Sequence, residues 1–279
     1  MINLHNTTQF KATALNDDTL RHEAPSIFAE GPMSGLSHRY AFVPTIRIVD
    51  GLREHGWAPV NVEEQRIRKA TRRGFQKHLL RFRRTEQMET LDEWNVELVL
   101  INSHDAGCAY QVHAGIYRRI CSNGLVLSED SFQALRIRHT GLMADEVVQA
   151  SFRLVDDMPR VGALVERFRR RFLGSAESRM LAGHALTLRY GSLANAPVEA
   201  ETLLTSRRPE DSGADLWSVT NRVQEHLVRG GLSDSRRDRH GRLRSVRGLR
   251  GIDSKVALNQ GLWSAAERLA NGEVLSLTE

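Results

Sequence analysis

The chain has 279 residues, 41% of them hydrophobic and 26% charged, with a formal net charge of +5 and a pI of about 9.6. That is enough chain, with ordinary globular composition, to bury a full core. No apolar run reaches the ~18 residues that cross a bilayer and no charged-then-apolar leader opens the chain, so cytoplasmic residence without a membrane partner is expected.

Residues 1–32 read as an N-terminal arm. Charged and small polar residues mix without a period, and Pro25 and the Gly31-Pro32 pair punctuate it. Such arms are often partly disordered or docked on a neighbouring subunit. Thr45 then suits a helix N-cap, Ile46, Ile48, Val49 and Leu52 form an apolar face, and Gly56 a stop. Trp57 to Val62 has strand character.

Residues 66–84 hold nine Lys/Arg and no Asp/Glu. From Leu80 to Arg83 apolar and basic residues alternate, which on a strand sends the apolar ones to the core and the arginines to one open face. An ordinary solvated face is the plain alternative. Nine like charges repel one another, however, and an anionic partner relieves that. Lysine occurs only at Lys11, Lys69, Lys77 and Lys255; every other basic residue is arginine. Arginine's planar fork takes phosphate bidentately and stacks on bases. A GC-rich genome produces the same bias, so the bias alone decides nothing.

Trp94 to Ile101 and Ala109 to Ile120 predict two further strands, joined by the turn residues Asn102 to Gly107. Ser122 to Gly124 is a second turn of the Asn-Gly kind. Leu125 to Leu127 and Ala134 to His139 follow as short strands. Short connections make this sheet of about five strands (57–140) antiparallel.

The period turns helical from residue 144, giving one long helix or two broken near Pro159. Helices follow over 175–190, 215–228 and 254–270, with a loop-rich connection at 195–213. Residues 229–251 carry eight arginines among glycines and two aspartates. They read as a flexible basic loop that binds nucleic acid or, equally, as a solvated crossing. Strands first and helices afterwards predict an α+β fold with long helices on one face of the sheet. The expected organisation is arm 1–32, core domain 33–194 and a C-terminal helical part 195–279.

His104, Asp105, Cys108, His113, Cys121 and His139 crowd one region, but their spacing matches no metal-ligand frame, and the two cysteines lack the C-x-x-C pairing of structural zinc. One cysteine pair is also no disulfide scaffold. A nucleophilic cysteine lacks an orienting motif, and no Walker loop is present. No enzyme activity, metal or other cofactor is therefore expected.

The stretch NSHDAGCAYQVHAGIYRRICSNGLVL resembles the signature of family 932 of the domains of unknown function, whose members are labelled phage/plasmid-like protein. The similarity extends to Ser37-His38-Arg39-Tyr40, to IRHTG at 137–141, to NRVQEHLVRGG at 221–231 and to LNQGLW at 258–263. Ala106 stands where the family's turn brings glycine more directly after aspartate. In outline the chain is also similar to phage single-strand annealing proteins of the Rad, Erf and Red-beta kinds. That likeness implies self-association into rings or filaments that hold single strands in a basic groove, and no catalytic residue.

The expected function is therefore binding of single-stranded DNA, with RNA also open, to promote strand annealing and recombination for a phage or plasmid. The residues expected to carry it are Arg66, Arg68, Lys69, Arg72, Arg73, Lys77, Arg81, Arg83, Arg118, Arg119, Arg236, Arg237, Arg242, Arg244 and Arg247. The alternatives are a metal- or cysteine-dependent enzyme centred on 102–121, and a mobile-element protein that inhibits host defence through protein contacts.

Overall fold

The computed structural model describes residues 13–67, 69–89, 93–118, 124–127, 135–139, 144–237, 240 and 242–275. Among them no helix is long and apolar enough to cross a membrane. The fold is α+β. Strands β1 (Trp57–Glu64), β2 (His78–Arg84), β3 (Trp94–Asn102), β4 (Tyr110–Arg118) and β5 (Gly124–Val126) lie in that order, and β6 (Leu135–Ile137) also pairs with β4. The registered pairs are antiparallel, as short connections require. Arg119, Cys121 and the turn residues Ser122 and Asn123 lie outside the described residues, as does Arg68.

Register fixes the faces. Leu80 lies opposite Leu100 and Phe82 opposite Leu98, while Leu100 meets Val112 and Leu98 meets Ala114. Side chains alternate along a strand, so these apolar residues form one continuous buried face. Helices α1 (Asp17–Glu23) and α2 (Thr45–Glu54) pack on β1. Helix α2 buries Ile48, Val49 and Leu52 on one stripe and ends at His55 and Gly56, where φ is +80°. The first turns of α3 (Ala144–Arg170) sit close against α2. A Cβ on Gly51 would lie 2.9 Å from Val148 Cγ2, so glycine sets that approach.

The segment expected as an arm is folded from residue 13 onward. Asn16 caps α1 by accepting from the Thr19 amide at 2.9 Å. Leu20, Ala24 and Ile27 are fully buried, and the Leu15 amide donates to the Pro59 carbonyl at 2.7 Å. Three apolar side chains spaced through a polar segment dock it on its own unit, together with Ser26 on Glu64 and Asp17 on Arg53.

The chain divides into two compact units. One comprises Met1–Gly124 with Leu135–Phe152; the other comprises Leu125–Ala134 with Arg153–Glu279. The long period from residue 144 forms one helix, with Pro159 inside it and exposed.

The second unit holds α4 (Ser175–Tyr190), α5 (Leu216–Arg229) and α6 (Ile252–Ala270). Its core includes Trp263 of α6 with its ring 4.9 Å from Phe168, and α5 is buried from Leu216 to Leu227. The stretch expected as a flexible basic loop is a two-stranded antiparallel ribbon, β7 (Gly230–Arg237) and β8 (Leu243–Arg247). Gly230 and Gly248 are packing points rather than hinges. A Cβ on Gly230, at φ +68°, would meet the Val246 carbonyl oxygen at 2.4 Å; one on Gly248 would meet the Val228 carbonyl at 2.5 Å.

Candidate nucleic-acid interface

The connection from β1 to β2 carries the exposed part of the basic run. Its ends are pinned by the Gln65 amide donating to the Lys77 carbonyl at 2.7 Å. Within it a short 3-10 turn, Ala70–Arg72, leads to Gly74 at φ +86°. Gln76 fixes the return. Its side-chain oxygen accepts from the Gly74 amide at 2.6 Å and its amide nitrogen donates to Glu64 Oε2 at 2.6 Å. The His104 amide donates to the Phe75 carbonyl at 2.9 Å, tying the connection to the β3–β4 turn. On this frame Arg66, Lys69, Arg72 and Arg73 are exposed, and Lys77 is half-buried. Arg72 lies 3.5 Å from Asp105 Oδ2; among the described residues no carboxylate pairs with Arg66, Lys69 or Arg73.

The arginines of the strands have a different role. Arg81 Nε donates to Glu97 Oε2 at 2.7 Å, and Arg83 donates through Nε at 2.9 Å and Nη2 at 2.5 Å to Glu97 Oε1. Glu97 is fully buried and Arg83 nearly so. The Arg81 guanidinium also lies 3.4 Å from the centre of the Tyr117 ring. Burial works against the charge on Arg81, but Glu97 and Tyr117 outweigh it and hold the guanidinium above its ordinary value. Arg118 is buried with Nη2 3.5 Å from Glu93 Oε1.

The open arginine face expected along β2 is therefore corrected. Alternation does put Arg81 and Arg83 together, but on a face where Leu79, Val99 and Ile101 are also buried. Arg81, Arg83 and Arg118 are paired with carboxylates inside their own unit and do not face solvent as phosphate ligands would. The signal was present in the sequence as a lone acid in the apolar strand 94–101. It belongs to the arginines of the neighbouring strand.

The β3–β4 turn and its surroundings form a buried polar network. Thr45 opens α2, one position inside its expected capping place, because its hydroxyl is taken by the sheet. Asn102 Nδ2 donates to Thr45 Oγ1 at 3.0 Å, His78 Nε2 lies 2.9 Å from it and His104 Nε2 3.1 Å. The Gln76 carbonyl, 3.2 Å from His78 Nδ1, can only accept. Ser26 Oγ lies nearer, 2.7 Å from the same nitrogen, and can donate or accept. Tyr110 donates to the Val43 carbonyl at 2.6 Å. Burial pushes His78 down to about 4 and His104 down to about 3, the latter helped by His78 and His139. Burial likewise raises the Tyr40 and Tyr110 hydroxyls above their ordinary range.

The residues that suggested a metal or thiol centre are dispersed by this arrangement. His104 is interior, whereas Asp105 accepts from the Gly107 amide at 2.8 Å and faces Arg72. His113 lies opposite Val99, on the face of Glu97 and Tyr117. His139 stacks on Tyr40 with ring centres 4.5 Å apart, and Cys108 is half-buried beside Ser103. Among the described residues no three of His, Cys, Asp or Glu gather as metal ligands. Sequence distance hid the pairing of Tyr40 with His139, although both belong to segments that carried the family resemblance.

In the second unit Arg242, Arg244 and Arg247 are exposed on the ribbon; the side chains of Arg236 and Arg237 lie outside the description. Two arginines that the sequence did not single out hold its root. Arg189 donates to the Leu227 and Arg247 carbonyls, and Arg207 donates to the Gly230 carbonyl at 2.5 Å. Arg207 Nε also donates to His226 Nδ1 at 3.2 Å, while His226 Nε2 donates to the Thr205 carbonyl at 2.7 Å. Burial first, with Arg207 adding to it, holds this histidine below its ordinary value. Arg208 and Arg229 both pair with buried Glu225 of α5.

A family model described as "Domain of unknown function (DUF932)" matches residues 32–263. The UPF0380 proteins YafZ and YfjQ of Escherichia coli (strain K12) are each 36% identical to the chain over 255 residues, covering 91% of both partners. No solved structure matches.

Proposed function

We propose that this chain, which belongs to the DUF932 family of domains of unknown function, binds single-stranded nucleic acid through its β1–β2 connection and promotes the annealing of complementary strands. One observation carries this reading. Arg66, Lys69 and Arg73 stand exposed without a carboxylate partner among the described residues, while Arg81 and Arg83 of the adjoining strand are paired with Glu97. Exposed cations held on a pinned connection, without compensating charge, suit a sequence-independent phosphate track. Half-buried Phe75 in the same connection offers a stacking edge. Annealing needs strand repulsion to be screened and bases left accessible. It needs no bond chemistry, so the buried histidine network serves the fold that holds the track. Self-association, in the manner of the annealing proteins the sequence resembles in outline, extends a short track into a continuous one.

The test is fluorescence anisotropy with a labelled oligonucleotide, followed by a two-dye annealing assay. Wild-type binding is expected to weaken steeply with salt. The triple variant Arg66→Ala/Lys69→Ala/Arg73→Ala is expected to weaken binding and annealing together. Absent or salt-insensitive binding by the wild-type protein sinks the reading.

A further inference from the structure

The ribbon of the second unit has a different chemistry from the β1–β2 connection. Strands β7 and β8 pair only with each other in their sheet. The stretch 229–251 holds eight arginines and two aspartates, and no Phe, Tyr or Trp. It therefore has guanidinium forks and no aromatic stacking platform. Single strands are held largely by stacking on aromatic faces as well as by phosphate contacts. A surface of arginine forks without aromatic faces suits a ligand whose bases are already stacked, with phosphates and base edges on offer.

The shape agrees. The root is held by Arg189 on the Leu227 and Arg247 carbonyls, by Arg207 on Gly230, and by the close backbone approach at Gly230 and Gly248. Arg247 at this root and Arg242 and Arg244 farther along the ribbon are exposed. A two-stranded ribbon fits the major groove of B-form DNA, about 12 Å wide, and does not enter the deep, narrow major groove of A-form RNA. Arginine is also the side chain whose fork matches the O6 and N7 acceptors of guanine there.

We propose that the β7–β8 ribbon is a second nucleic-acid site, specific for double-helical DNA, that inserts into its major groove and holds the product of annealing. The role as product holder rests on the function proposed above; duplex binding by the ribbon stands independently of it.

The experiment uses the full chain with three labelled probes of one sequence: a single DNA strand, its DNA duplex and the matching RNA duplex. Arg244→Ala/Arg247→Ala is expected to weaken DNA-duplex binding by about tenfold or more, and single-strand binding by less than about twofold. Arg66→Ala/Lys69→Ala/Arg73→Ala is expected to show the reverse pattern. A thermal melt matching that of the wild type identifies the loss as one of contact, and Arg244→Lys/Arg247→Lys, which keeps the charge without the fork, is expected to recover only part of the duplex binding; full recovery overturns readout by the fork. Equal loss on single strand and duplex overturns the proposal, because the ribbon is then a general phosphate site. Equal binding of RNA and DNA duplexes overturns groove insertion. Duplex binding without single-strand binding by the wild-type protein refutes the proposed function and leaves the ribbon site standing.

Discussion

Replacing Glu97 by glutamine tests the assignment of the strand arginines. Glu97 accepts three hydrogen bonds from Arg81 and Arg83, at 2.7, 2.9 and 2.5 Å, and is itself fully buried. Glutamine keeps the shape but removes the charge, taking from two largely buried guanidinium groups the carboxylate they share. Removing one partner of a buried ion pair costs about 3–5 kcal/mol. For a domain of this size that lowers the melting temperature by roughly 6–20 °C. Circular dichroism melts measure the shift, and hydrogen exchange over residues 94–118 locates it. The triple change Arg81→Leu/Arg83→Met/Glu97→Leu is expected to restore stability to within about 2 kcal/mol of wild type, since apolar residues of similar volume can replace a buried ion cluster. If Glu97→Gln melts within about 2 °C of the wild type, the cluster is solvated, the reasoning fails, and Arg81 and Arg83 return as candidate phosphate ligands.

Other outcomes follow from the same geometry. An imidazole in the unfolded chain titrates near 6.5, but buried His78 does so only at about 4. Between those values the unfolded chain takes up a proton that the folded chain refuses. Stability is therefore full above pH 6.5 and falls as pH drops toward 4, by about 3 kcal/mol in all, with His104 acting in the same direction. Urea midpoints at pH 7 and pH 4.5 measure this, and equal midpoints contradict it. Thr45→Val removes the oxygen shared by Asn102, His78 and His104 and is expected to cost about 2–4 kcal/mol by urea denaturation. Arg66→Ala/Lys69→Ala/Arg73→Ala is expected to reduce the slope of log affinity against log salt by about 2, at about 0.7 per phosphate contact; an unchanged slope removes the connection from the interface. Gly230→Ala drives a Cβ into the Val246 carbonyl, so amide exchange over 230–247 is expected to accelerate while α4 is unaffected.

Local pattern determined much of this protein. The two-residue period of strands, the turn chemistry at 102–107 and the helical period after residue 144 depend on neighbours in the chain, and β1 to β4 and α4 to α6 lie close to where those patterns put them. The exposed cations between β1 and β2 were legible for the same reason: a polar connection runs over the surface. Tertiary structure decided the rest. Period assigns Arg81 and Arg83 to a common face but does not say whether water or protein covers it. Only the register with β3 brings Glu97 alongside them. Composition marks 229–251 as basic and rich in glycine, but whether a glycine is a hinge or a contact depends on which backbone passes it. At Gly230 and Gly248 that backbone is the facing strand and the end of α5. Sequence shows the charge and the period; the partner that cancels or exposes a charge is a long-range contact that only the folded chain makes.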